Sequence, residues 1–288
     1  MLPRAQLLAV LVVIELAIVG GMVNAVRGDQ PGPSLLPGPR LVEDGPHQVF
    51  YAGAHPSLTV DIGYADLTIL TRSGAQVDVA VSKSTDFGPF RATAPITARQ
   101  DGGTIRIATT AGRGWSVGDD RMVTVLVPPG TQVAVINAGD ISATGLRAEA
   151  SFHAVGRGSI TIADFDAPTL RVTASNGPIS LQQIITTRLD ATSRKDRVEG
   201  TALQVRDGLI ESDDAVSLGF APGADTMLTA QTSGGVVRAA GFAVVPSVIT
   251  ASKGSDDDAS SQILRIGTGA GHLDVHSRSG DIDLSQQG

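Results

Sequence analysis

The sequence contains no cysteine, which excludes disulfide bonds, thiolate metal sites and thiol catalysis. Aromatic residues are scarce as well: they make up 3% of the 288 residues, whereas hydrophobic residues make up 42%. Because aromatic side chains contribute so little area, the core must consist mainly of Val, Ile, Leu and Ala. Glycine is abundant, with 34 residues, and this excess without a collagen period predicts the many turns of an all-β chain.

Positive charge is also limited. The chain has 22 Lys and Arg residues against 29 Asp and Glu residues, which gives a formal net charge of −7. The basic residues do not form the stripe that a protein needs to neutralise a phosphate backbone. We therefore expect no nucleic-acid partner, and we expect the folded domain to present an acidic surface.

One long apolar run lies near the N-terminus, from Ala5 to Val26. At about 1.5 Å per residue it is long enough to cross a hydrocarbon core of about 30 Å. Its aliphatic residues outweigh the cost of Glu15 in the middle of the run. We predict that residues 1–27 form an uncleaved, single-pass membrane anchor, with residues 5–26 in the membrane and the C-terminal domain extracytoplasmic.

Two questions about this segment remain open. Val23-Asn24-Ala25 fits the small-residue pattern at which signal peptides are cleaved, and cleavage would give a secreted protein. Glu15 either contacts a partner helix in the membrane or is tolerated in its protonated form in a lone anchor. In each case the body of the chain is exported.

A spacer follows the anchor over residues 28–45. Its stretch from Asp29 to Pro39 is rich in proline and glycine, which sustain neither a helix nor an interior strand. Such a composition is typical of a semi-rigid, extended linker. The folded domain is predicted to occupy residues 46–288.

Within this domain, β-branched residues alternate with polar residues, and the alternation predicts half-buried strands. Residues 46–127 are irregular, whereas residues 128–288 contain a clearer repeat of about 19 residues. The repeat appears in three columns: Ile141, Ile160, Ile179 and Val198; Leu146, Phe165, Ile184 and Leu203; and Gly139, Gly158, Gly177 and Asp196.

A unit of this length cannot bury its own apolar face, so successive units must stack on one another. We therefore predict an all-β β-solenoid of stacked short strands, preceded by one transmembrane helix. The glycine column is expected to occupy a corner of each coil that requires a positive φ.

Three segments carry a resemblance to a known family: "VFYAGAHPSLTVDIGYADLTI", "VTVLVPPGTQVAVINAGDISATGL" and "SRSGDIDL". Over residues 49–285 the chain resembles a bacterial domain-of-unknown-function family of β-strand-repeat proteins described as candidate adhesins. The resemblance implies an exported, envelope-associated solenoid that is often tethered by one N-terminal helix. It supplies no catalytic residues.

Solenoids that cleave polysaccharides stack acids or bases on neighbouring coils. In this chain, neither the residues that precede the first aliphatic column nor those that follow it form such a stack of acids or bases. The residues before it are Asp140, Ser159, Pro178 and Arg197, and those after it are Ser142, Thr161, Ser180 and Glu199. The best remaining pair of carboxylates is Asp281 and Asp283, which share one face of a strand. We expect both to be solvated, since no apolar enclosure nearby would raise a pKa.

Other motifs give weak signals. The glycine-rich stretches 112–118 and 267–271 lack the spacing of a dinucleotide loop and are predicted to be ordinary loops. The histidines, His47, His55, His153, His272 and His276, are dispersed, and we expect no metal site from them. Asp256-Asp257-Asp258 is interpreted as an acidic surface loop, with calcium binding left open. Trp115 either contacts a partner or covers one end of the core.

These features predict a non-catalytic, envelope-anchored β-solenoid that serves adhesion, binding or structural interaction without a cofactor. Its expected partners are the membrane, through residues 5–26, and an unidentified protein or glycan outside it. The alternatives are a carbohydrate-active enzyme on the same scaffold and an envelope-stress sensor that contacts its partner through Glu15.

Overall fold

Strands form where aliphatic and polar residues alternate. In the strand Arg121–Val127, the side chains of Val123, Val125 and Val127 are buried, whereas Met122 and Thr124 face away from the core. The same alternation recurs along the chain. All regular secondary structure among the described residues is β-strand, which confirms the predicted all-β class.

The computed structural model describes residues 42–51, 53, 55–84, 96–109, 121–147, 150–242 and 260–286, and these belong to one compact unit, Leu41–Gly288. The predicted anchor (1–27) and most of the predicted spacer (28–45) lie outside them. Within the described ranges no helix is long and apolar enough to cross a bilayer.

The strands, in chain order, are β1 (Val42–Tyr51), β2 (Ser57–Asp61), β3 (Asp66–Thr71), β4 (Gln76–Ser84), β5 (Ile96–Asp101), β6 (Thr104–Thr109), β7 (Arg121–Val127), β8 (Gln132–Ala138), β9 (Ile141–Thr144), β10 (Ser151–Gly156), β11 (Ile160–Asp166), β12 (Thr169–Ala174), β13 (Ile179–Ser193), β14 (Val198–Ser212), β15 (Val216–Phe220), β16 (Thr226–Thr232), β17 (Val237–Ala240), β18 (Ser260–Ile266), β19 (His272–Ser277) and β20 (Ile282–Gln286).

Each coil places one strand in a first sheet, turns at a corner, and places the next strand in a second sheet. The first sheet runs β5, β6, β2, β8, β10, β12, β13, β14, β19, β16 and β18. The second runs β1, β4, β7, β3, β9, β11, β13, β14, β15, β20 and β17. The long strands β13 and β14 belong to both sheets, because each continues through a bend between them. Pairing is parallel except near the ends, where β1, β4, β5 and β18 pair antiparallel.

The order of coils in the stack differs from chain order at both ends. The coil of β6 and β7 lies outside the earlier coil of β2 and β3. The C-terminal coil of β19 and β20 is inserted between the coil of β14 and β15 and that of β16 and β17. This exchange explains why the repeat loosens in sequence after residue 203 although the stack itself continues.

The aliphatic columns predicted from the repeat are in register. Ile141 pairs with Ile160, Ile160 with Ile179, and Ile179 with Val198, and all of these side chains are buried. Phe165, Ile184 and Leu203 form the second column in the same way. Full burial of such side chains contributes about 1.5–3 kcal/mol each, so these columns supply much of the stability.

The prediction of positive φ for the glycine column is wrong. Gly139, Gly158 and Gly177 all lie outside the left-handed region. Glycine is required there by distance instead, since a Cβ on Gly177 would lie 2.5 Å from the carbonyl carbon of Gly158. A different column is left-handed and also recurs every 19 residues: Gly145, Asp164, Gln183 and Ala202.

The aspartate of the Gly-Asp-Ile motif holds neighbouring coils together. The backbone N–H of Ser159 donates to Oδ1 of Asp140 at 2.7 Å, and that of Val236 donates to Oδ1 of Asp281 at 2.9 Å. Asp66 accepts from the backbone N–H of Asp140 in the same way. The motif is therefore a structural cap at the corner, because each carboxylate satisfies an N–H of the next coil.

Candidate binding site

Several residues singled out in the sequence fall outside the described part of the chain. These are Glu15, Trp115 and the acidic loop Asp256-Asp257-Asp258. Their predicted roles in partner contact or calcium binding stay predictions.

The carboxylate pair Asp281 and Asp283 is bridged by one guanidinium. Nη1 of Arg238 lies 2.7 Å from Oδ2 of Asp281 and 3.3 Å from Oδ1 of Asp283. The backbone N–H of Val236 and the Arg238 side chain lower the pKa of Asp281, and the two carboxylates raise the pKa of Arg238. A general acid in sugar cleavage needs a raised pKa, so the environment of Asp281 acts in the opposite direction.

The glycine-rich loop at 267–271 is occupied by a carboxylate of the chain itself. Asp225 accepts hydrogen bonds from the Thr268 hydroxyl and from the backbone N–H groups of Gly269 and Ala270. These bonds, the Thr268 hydroxyl first among them, lower the pKa of Asp225. The N–H groups that would hold a phosphate are thus already used.

Among the histidines, His272 contacts Asp274 at 2.9 Å on the same face of β19. Within the described residues no group of three His, Asp or Glu side chains is arranged to hold a metal ion. The His272–Asp274 pair is therefore best described as a surface contact.

A group of three interacting charged side chains lies on the outer face of the first sheet. The parallel register places Arg171 of β12 beside Asp190 of β13, and Asp190 beside Leu209 of β14. Arg188 precedes Asp190 by two residues and so shares its face. The inner neighbours, among them Leu189 and Val172, are buried in the core and fix the orientation of these strands.

Two arginines converge on a single oxygen of Asp190. Oδ2 accepts from Nε and Nη2 of Arg171, at 3.2 and 2.9 Å, and from Nε of Arg188, at 3.0 Å. Oδ1 is buried and makes no hydrogen bond within the described residues. Burial opposes ionisation of Asp190, but the hydrogen bonds from Arg188 and Arg171 outweigh it and lower the pKa.

A cleft of about 460 Å³ opens above this group. Its lining includes Arg171, Arg188, Asp190, Thr173, Thr192, Leu209 and Asp274. A second cleft of about 570 Å³ shares Thr192 with it and continues toward the glycine corner. The second lining is polar and includes Arg194, Glu211, Asp213, Gln231, His276 and Arg278. The two clefts meet at Thr192, and we refer to them together as the sheet-face cleft.

A third groove, of about 780 Å³, follows the corner where the chain leaves the second sheet. It is lined at repeat-equivalent positions of successive coils by Arg147, Asp166, Ile185, Gln204 and Gly223. Arg147 forms an ion pair with Asp164 beside it. This groove is more apolar in character, since Ile185 is 44% exposed there.

The Arg171–Asp190–Arg188 group was not predicted above, although the sequence contains a spacing that indicates part of it. Arg171 and Asp190 are separated by 19 residues, the same interval as in the aliphatic columns. Applied to charged residues, that interval would have placed the two side chains on adjacent strands. The burial of Oδ1 of Asp190 could not be predicted from the sequence, because it depends on the packing of side chains around the carboxylate.

Comparison with known proteins gives one family and several solved structures. The Toastrack DUF4097 family matches residues 55–288. A candidate cell adhesion protein from Clostridium sporogenes is 11% identical, with a TM-score of 0.38 over 85% of this chain and 100% of that one. A candidate adhesin from Bacteroides fragilis is 10% identical, with a TM-score of 0.41 over 86% and 98%. A candidate lipid-binding protein from Parabacteroides distasonis is 12% identical, with a TM-score of 0.40 over 87% and 98%. Among curated proteins, none matches the chain.

Proposed function

The chain belongs to the Toastrack DUF4097 family, and we propose that it is a non-catalytic binding module held on the outer side of a cell membrane. The observation that carries the proposal is the sheet-face cleft, whose polar side chains come from several coils of one stack. A ligand that lies across the strands would contact all of these coils together. Since the strands are fixed by buried aliphatic columns, little ordering is needed on binding.

The electrostatics of the carboxylates support binding rather than catalysis. Asp281, Asp190 and Asp225 all have lowered pKa values, because each accepts hydrogen bonds from neighbouring donors. Such groups are anionic at neutral pH and do not donate a proton to a leaving group. They can accept hydrogen bonds from hydroxyl groups of a ligand.

We infer the location from the N-terminal sequence. Residues 5–26 would anchor the chain, residues 28–45 would space the domain from the bilayer, and the net charge of −7 would give it an acidic surface. An unidentified glycan or protein outside the membrane would be the partner.

The test uses the full chain, purified in a neutral detergent. A glycan array and a pull-down from envelope extract should recover at least one saturable ligand, and the same preparation should show no turnover of acidic or neutral polysaccharides, with or without calcium. Turnover, or the absence of any saturable ligand in both assays, would contradict the proposal.

A carbohydrate-active enzyme is the second candidate, and one observation favours it. Glu211 and Asp213 are two residues apart in the second part of the sheet-face cleft, beside His276. Oδ1 of Asp213 lies 3.5 Å from Nη1 of Arg278 and forms an ion pair with it. If turnover is found, Glu211→Gln should abolish it while Asp283→Asn leaves it intact, which would place the reaction in this cleft.

A further inference from the structure

Only one of the two carboxylate oxygens of Asp190 accepts hydrogen bonds among the described residues. Its Oδ2 accepts all of the hydrogen bonds from Arg171 and Arg188, whereas its buried Oδ1 accepts none among the described residues. A buried acceptor without a donor costs free energy unless a ligand or water supplies one. Because Oδ1 is covered by the protein, the parts of this group that a ligand can reach are the two exposed guanidiniums.

The two guanidiniums retain donors for an anion. An arginine carries five N–H donors, of which Arg171 uses two and Arg188 one toward Asp190. The Arg171 and Arg188 side chains are 50% and 60% exposed, so the remaining donors face the cleft or solvent. Because two cations meet one carboxylate, the group can accept one further negative charge at close range.

The surroundings limit how much negative charge the cleft can accept. Asp207 lies beside Arg188 in register and is held by Arg206 at 3.6 Å, and Asp274 also lines the cleft. These carboxylates repel a ligand of high charge density, such as a phosphate dianion or a nucleic acid. A single carboxylate next to hydroxyl groups fits the charge balance better.

The remaining lining suits a sugar ring. The half-buried Leu209 provides an apolar floor between Asp190 and Asp274. Thr173 and Thr192 add hydroxyl groups at the edge, and Thr192 leads into the second part of the cleft. From β12 to β16 the surface crosses four strand spacings, about 19 Å at about 4.8 Å each, which is long enough for more than one sugar unit.

We propose that the sheet-face cleft binds an acidic polysaccharide of the uronic acid class. The carboxylate of one sugar unit accepts from the free N–H groups of Arg171 and Arg188, and neighbouring hydroxyls contact Thr173 and Thr192 at the edge of the cleft. Further units extend past Thr192 toward Arg194. This inference rests on the proposed function as a binding module and names the ligand class of that surface.

The experiment titrates the full chain in neutral detergent with oligogalacturonate and measures the heat of binding. The matched probe is the methyl-esterified oligomer, which has the same sugars without the charge. Arg188→Gln and Arg171→Gln should each weaken oligogalacturonate binding about tenfold or more, because each removes charge-assisted hydrogen bonds. Arg188→Lys, which keeps the charge but loses the planar fork, should fall between Arg188→Gln and the unmodified chain.

The control variant is Arg106→Gln on β6, which makes the same change on the outer face of the same sheet, four strands from β12. It should change the affinity less than twofold, and denaturant midpoints should show that all variants remain folded. Equal binding of the esterified oligomer, or an equal loss in Arg106→Gln, would overturn the inference. If oligogalacturonate fails to bind while another ligand from the array binds, the inference is overturned and the proposed function stands. Turnover of the oligomer would instead overturn the proposed function.

Discussion

An ideal Cβ on Gly177 would lie 2.5 Å from the carbonyl carbon and 2.6 Å from the next backbone nitrogen of the neighbouring coil. Both of these atoms belong to backbone that is held by its own hydrogen bonds, so they cannot move aside easily. At Gly130, by contrast, a Cβ would meet nothing within 4 Å, and the backbone is not left-handed. Two glycines of one chain thus occupy very different sites.

Gly177→Ala should therefore lower the free energy of unfolding by about 3 kcal/mol, because the added methyl group forces two coils apart. Gly130→Ala is the control and should leave stability within about 1 kcal/mol, with a slight gain from reduced freedom of the unfolded chain. Urea unfolding followed by circular dichroism measures both. Equal effects of the two substitutions would mean that the coils are not in contact at the glycine corner.

Asp281 gives a prediction about pH. Its pKa is lowered in the folded state by the backbone N–H of Val236 and by Arg238. A group of this kind contributes stability above its unfolded pKa, and the contribution is lost as the pH falls through the folded pKa. Asp281→Asn should lower the unfolding free energy at pH 7 and have a smaller effect at pH 2.5.

The control for Asp281→Asn is a carboxylate that accepts no hydrogen bond from a backbone N–H. Asp283, on the same strand, is such a carboxylate. It contacts Arg238 at 3.3 Å as its only hydrogen-bond partner among the described residues. Asp283→Asn should show a weaker pH dependence than Asp281→Asn, as measured by urea unfolding at each pH. The reverse order would show that the corner cap does not hold the C-terminal coil.

At the scale of strands, the interval of 19 residues determines which side chains meet. Ile179 is fully buried between Ile160 and Val198, and Ser180 next to it faces outward between Thr161 and Glu199. Adjacent residues of one strand therefore experience opposite environments, as the pleat requires.

Ile179→Asp should destabilise the domain by several kcal/mol or prevent folding, because an unpaired carboxylate would be buried between coils. Ser180→Asp, the neighbouring substitution, should cost less than about 1 kcal/mol because its side chain reaches solvent. The comparison uses thermal unfolding of both variants in the same buffer. Similar melting temperatures would contradict the register of β11, β13 and β14.

Sequence periodicity predicted the aliphatic columns because Ile160 and Ile179 differ from their neighbours in hydrophobicity. It could not predict the left-handed column, since Asp164, Gln183 and Ala202 have no residue type in common that indicates a positive φ. The insertion of β19 and β20 between earlier coils was also hidden, because it depends on pairing between strands that are far apart in sequence. Within the candidate site, the proximity of Arg171 and Asp190 was predictable from the interval, but the unpaired Oδ1 was not.

At the scale of the whole molecule, three of the four edges of the two described sheets end in antiparallel strands, and the fourth ends in β17, which pairs parallel with β20. β5 pairs antiparallel with β6, and β18 pairs antiparallel with β16, so the regular parallel ladder is interrupted at each end of the first sheet. An uninterrupted parallel edge would offer a template for another chain. The family match covers residues 55–288, and the first strand of the described stack, β1 (Val42–Tyr51), begins within the last residues of the predicted spacer.

The last prediction concerns where this domain is held. Residues 5–26 contain enough aliphatic side chains to favour insertion in spite of Glu15. The full chain should therefore fractionate with membranes and resist carbonate extraction.

Protease added outside the cytoplasmic membrane should cut in the proline- and glycine-rich spacer, because that segment cannot be protected by a helix or an interior strand. The released fragment should have about the size of residues 40–288, and its interior strands should resist further cleavage because they are hydrogen-bonded on both sides. Glu15→Leu should strengthen membrane retention or leave it unchanged. Recovery of the intact chain from the cytosol would end the argument for export, and release of the domain without protease would favour a cleaved signal peptide.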